Sequence, residues 1–150
     1  MKHRRDERGS ALVELSWLGI LLLVPMLWIV VSVFEVQRGA FAVSGAARAA
    51  GRAYALAPDH AVGVARAEAA ARQALEDQGI GGAPLAVQIT CTPYPDDCHS
   101  GTSVITVVVE SSVALPLIPD ILGGGAPSFA LDSTHSVPIG QFQEVADAAP

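Results

Sequence analysis

From Leu15 to Phe34 the chain reads LSWLGILLLVPMLWIVVSVF, twenty residues without a charge and with only Ser16 and Ser32 polar. At about 1.5 Å rise per residue, a helix of that length spans roughly 30 Å, the hydrocarbon thickness of a bilayer. The helical pattern continues beyond it. Between Glu35 and Leu56 there is no Pro, and Ala, Val and Arg predominate. Phe41, Ala42, Ala46, Ala49, Ala53 and Leu56 recur at intervals of three and four, which predicts one apolar face. Arg48 and Arg52 fall on another face, and Gly39, Gly45 and Gly51 lower the propensity. The first break is Pro58, so the pattern predicts one helix from about Leu12 to Ala57. Pro25 is its kink site, tolerable inside a bilayer where neighbouring groups satisfy the freed carbonyl.

A second helix is expected from Asp59, a good N-cap, to Gln78, with Gly79 as a left-handed stop. Val64, Ala67, Ala71, Ala74 and Leu75 form its apolar stripe; Glu68, Arg72 and Glu76 line its wet face. Being mostly Ala, the stripe permits close approach to another helix, so this one is expected to fold back on the first. After the turn-rich Gly79–Pro84 the period changes to two. Leu85, Val87, Ile89 and Cys91 alternate with Ala86, Gln88 and Thr90. In a second strand Ile105, Val107, Val109, Val113 and Leu115 point one way, Thr106, Glu110 and Ser112 the other. Pro116 and Pro119 end it, and Gly123–Gly125 is a flexible connection. A weaker third strand, in which Phe129 and Leu131 alternate with Ala130 and Asp132, ends before Pro138.

The expected fold class is therefore α+β: a long N-terminal helix, a second packing helix, and a small antiparallel sheet of about three strands. The organisation reads as a leader at 1–9, a transmembrane segment at 10–34, an extracytoplasmic helical region at 35–78, a β region at 79–143, and a flexible tail at 144–150. No internal repeat occurs.

Charge gives the expected orientation. Residues 1–9 hold four Lys/Arg and two Asp/Glu; the remainder holds five and thirteen, a net of −8. Positive residues before the span and acidic balance after it place the N-terminus in the cytoplasm and the rest outside. A cleaved secretory signal fits less well, although Ala40-Phe41-Ala42 would serve as its site. Such signals have an apolar region of about 7–15 residues, and here Glu35 and Arg38 also intervene. With no Lys after Lys2 and no Arg after Arg72, the C-terminal half offers no basic patch for phosphates, so no nucleic-acid partner is expected. Cys91 and Cys98 enclose six residues at the ends of a turn between strands. In an oxidising compartment they suit a disulfide if their Cα atoms come within about 6 Å. They lack the Cys-x-x-Cys spacing of redox sites.

Little else points to chemistry. His3, His60, His99 and His135 are scattered, with no pair at metal-ligand spacing on one helix face. Asp96 and Asp97 belong to an exposed loop and lack the opposed environments of catalytic carboxylates. No serine has a nucleophile-elbow context, and neither glycine cluster fits a phosphate loop. No catalytic, cofactor or metal site and no small-molecule substrate is expected.

Glu14 is the residue that changes the picture. On its own it is an interfacial carboxylate that complements the helix dipole in the first turn. In sequence it belongs to a constellation: a basic leader, Gly9, then Ser10-Ala11-Leu12-Val13, Glu14 and the apolar run. This constellation resembles the class III signal of type IV prepilins. The resemblance implies cleavage by the prepilin peptidase between Gly9 and Ser10. It also implies that Glu14, fifth from Ser10, meets the new terminal amine of a neighbouring subunit. Ala46-Ala47-Arg48, with Arg52 four residues on, looks similar to TadE-like pseudopilins of tight-adherence pilus systems. Two departures are Leu15, where an aromatic residue is usual, and a Gly displaced to Gly51. The resemblance implies a minor pilin or pilus-assembly component in the bacterial cytoplasmic membrane. Its partners would be other pilin subunits, the pilus-assembly machinery, prepilin peptidase and membrane lipid. The alternative is an uncleaved single-pass protein whose outer domain binds at the surface.

Overall fold

The computed structural model describes residues 8–115 and 127–141. Most of the basic leader, the Pro116–Gly125 connection and the 144–150 tail lie outside the described residues. Five elements follow in order: α1 (Arg8–Ala55), α2 (His60–Asp77), β1 (Leu85–Thr92), β2 (Val104–Ala114) and β3 (Ser128–Pro138). The strands form one antiparallel sheet in the order β1-β2-β3. The fold is the α+β arrangement expected, with β3 extending to Pro138. Proline is admissible there because β3 is an edge strand and Pro138 is its last residue.

α1 is one continuous helix of 48 residues that includes Pro25. Only its second half belongs to the core. Gly39, Ala42, Val43, Ala46, Ala47, Ala50, Gly51 and Tyr54 are buried. This corrects the face read from the sequence: Phe41 and Leu56 are 74% and 81% exposed. Two partners set the true face, because α2 covers one flank of α1 and β2 and β3 cover another. A stripe wide enough for both takes in residues that one apolar row does not. Its members are small, so the layers approach closely. A Cβ on Gly39 would collide with Val113 and stand 2.7 Å from Leu131 Cδ1; one on Gly51 would stand 3.0 Å from Val137 Cγ2.

α2 begins as expected: Asp59 Oδ1 accepts from the Val62 N–H at 2.8 Å. Gly79 ends it at φ +75°, donating its N–H to the Glu76 carbonyl at 2.8 Å while Ile80 N–H donates to Leu75 at 3.0 Å. These are the paired hydrogen bonds of a left-handed helix stop. Arg38 reaches across from α1 and donates to the Gln78 carbonyl from Nε at 3.0 Å and Nη2 at 2.8 Å. A cation at the last free carbonyls also complements the helix dipole. Ala67, Ala71 and Leu75 are buried, with Val64 and Ala74 packed beside them.

Alternation holds through the sheet. Ile105, Val107, Val109, Ser111 and Val113 form the buried row of β2. Gln88, Thr90, Glu110, Asp132, Thr134 and Ser136 take the other side, all of them exposed. The head is thus two layers, a helical hairpin on one face of a sheet whose second face is wet.

Candidate assembly and membrane surface

Every residue of α1 from Ala11 to Leu27 is exposed. From Leu12 to Phe34 it presents a run of exposed large apolar side chains, Trp17, Leu21, Leu22, Met26 and Ile29 among them. It is long and apolar enough to cross a membrane. Gly9 and Ser10 lie in its first turn. Glu14 follows one turn later, beside Trp17, Leu18 and Leu21 at the i+3, i+4 and i+7 positions. The carboxylate therefore sits on an otherwise apolar surface.

The uncovered side continues into the head. Phe34, Phe41, Arg48, Arg52 and Leu56 are exposed, and a Cβ on Gly45 would meet nothing within 4 Å. Arg48 Nη2 donates to Ser44 Oγ at 3.1 Å. The Ala46-Ala47 pair is fully buried. The short motif is thus split: its alanines face the core and its arginines face out. From Ala11 onward α1 offers one open side, apolar in its first half and mixed in its second.

At the opposite end of the head, Cys91 and Cys98 are joined in a disulfide with Cα atoms 5.3 Å apart, as the spacing suggested. The bridge closes the turn after β1 and delivers His99 onto Tyr54. Their rings stack at 5.3 Å, and His99 Nε2–H donates to the Tyr54 carbonyl at 3.2 Å. His60, at the start of α2, places Nδ1 2.7 Å from Tyr54 Oη. Burial pushes the Tyr54 phenol above its ordinary range. Sequence reading treated these histidines as scattered. The available signal was Asp59, whose capping role fixes His60 six residues after Tyr54, together with the cystine next to His99. His135 belongs to β3, where its ring carbon faces Gly51. Among the described residues, no group of three or more His, Cys, Asp or Glu converges as a metal site.

No protein-family model, characterised protein or solved structure matches the chain.

Proposed function

We propose that the protein is a TadE-like minor pilin or pilus-assembly component of a tight-adherence system. In this reading it sits in the bacterial cytoplasmic membrane with its N-terminus inside and its head outside. It acts by packing α1 against other pilin helices and has no catalysis of its own. The observation that carries the proposal is the open side of α1. A soluble protein has no use for a helix whose first half is uncovered and apolar, and a simple anchor does not need that side kept clear alongside the head. A subunit that stacks lengthwise on its neighbours needs both.

The Gly9-Ser10 junction supports the same reading. Gly is a poor helix former, so the first turn of α1 opens at little cost to enter a peptidase as extended chain. Gly9→Val adds a β-branched side chain at the scissile position, and processing is expected to fail. Mass analysis of membrane-extracted protein checks this. A Ser10 N-terminus in wild type and an intact leader in the variant is the expected pair. A Ser10 terminus in both, or Met1 in both, removes the prepilin assignment and leaves a single-pass anchor.

A further inference from the structure

The head and the span overlap along α1. Trp28, Ile29, Ser32 and Val33 within the apolar run, and Val36 and Gln37 just beyond it, form a groove of about 290 Å³ with Leu115 and Phe129 at the ends of β2 and β3. Phe129 is 50% exposed. Glu14 and Glu35 bound the run, and their separation along a helix is about 30 Å, one hydrocarbon thickness. With both carboxylates at the boundaries, the α1 wall of the groove runs from about 10 Å below the outer one, at Trp28, to about 3 Å above it, at Gln37. Sliding α1 to lift the groove clear would drag Glu14 about 10 Å into hydrocarbon, an expensive place for a carboxylate. Tilt does not remove the overlap. About 20° of tilt raises a point about 10 Å off the helix axis by only about 3 Å.

We infer that the β2–β3 end of the head is seated in the outer leaflet, with lipid acyl chains covering Phe129 and filling the groove beside Trp28. This rests on the membrane-spanning reading of α1. The occupant is lipid because the α1 wall of the groove continues into the exposed apolar surface of the span. On the side facing β2 the described backbone at this end is paired: the ladder runs to Ala114↔Ser128, and Leu115 N–H donates to the Pro127 carbonyl at 2.9 Å beyond it. Pro127 itself brings no N–H to be left unpaired. Arg38, one turn above Glu35, then stands at headgroup height. The head is held to the membrane plane at two points rather than swinging on one helix.

The test uses the full chain in phosphatidylcholine vesicles, with nitroxides on Phe129→Cys, Leu22→Cys and Thr90→Cys; the native cysteines are already paired. Collision with oxygen, which partitions into hydrocarbon, is compared with collision with a water-soluble nickel chelate. The label at 129 is expected to resemble that at 22, with an oxygen-to-nickel ratio several-fold above that at 90. A label at 129 that matches 90 while 22 stays protected overturns the seated tip and leaves the span intact. Nickel access at 22 as well overturns both. If Phe129→Cys does not fold, Ser128→Cys reads the same depth from an exposed position.

Discussion

Tyr54 shows how much of the head one residue organises. It is fully buried, with His99 stacked on its ring, His60 at its hydroxyl, and α2 packed against its edge. That edge is the reason for Gly63, whose Cβ would stand 2.8 Å from Tyr54 Cδ2 and 2.9 Å from Cε2. Gly63→Ala is expected to destabilise the head, since overpacking of about 1–3 kcal/mol outweighs a helix-propensity gain of up to about 1 kcal/mol. Gly45→Ala, with open space at its Cβ, should gain about that propensity and change sign. Denaturant midpoints of the two variants in detergent check the contrast, and a loss at both sites would refute the steric account. The phenol makes a second prediction. Its folded pKa is raised from 10.0 by desolvation, so the folded state holds the proton more tightly than the unfolded chain does. Its contribution is complete below pH 10 and is lost as pH rises through the folded value. Tyr54→Phe should flatten the alkaline fall in stability. An unchanged slope would assign that fall to other groups.

At the scale of elements, the signals that proved legible were local ones. Asp59 and Gly79 marked the ends of α2, the two-residue period marked the strands, and the Cys91–Cys98 spacing marked the bridge. Each depends on chemistry within a few residues of itself. The buried face of α1 was not legible because it is decided by two distant partners. Phe41 and Leu56 read as core by hydropathy, while Gly39 and Gly51 read as defects; contact with Val113, Leu131 and Val137 reverses both judgements. The Tyr54–His60–His99 group was hidden for the same reason, since α2 and a cystine loop carry its members together. That loop can be tested as a unit. Removing the bridge with Cys91→Ser/Cys98→Ser frees a short loop and is expected to cost about 2–3 kcal/mol on a chain-entropy basis. Loss of His99 from the Tyr54 ring should accompany it. Equal unfolding midpoints for the double variant and the oxidised wild type would show that the staple contributes nothing.

The whole molecule is a helix with two environments and a small head fixed to the second of them. Its proposed role depends on what the first half meets, and Glu14 separates the readings. In a simple anchor, Glu14→Ala removes a charge from the edge of the apolar run and should be neutral or mildly favourable for insertion. In an assembling pilin, the carboxylate meets the Ser10 amine of a neighbouring subunit where lipid and helices exclude water. Removing it leaves that amine unmatched, and an unpaired charge in such a place is strongly destabilising, by about 3–5 kcal/mol where burial is full. The same variant should therefore insert and be cleaved normally yet fail to enter the filament. Glu14→Gln keeps the shape and some hydrogen bonding but not the charge, and it should behave as Ala does if the contact is ionic. Glu14→Asp retains the charge on a shorter arm and should recover part of the association. Cleavage, membrane abundance and pilus association measured side by side for the four forms decide the matter. Wild-type association by the Ala and Gln forms, at equal abundance, would assign Glu14 to the dipole of its own helix and favour the anchor.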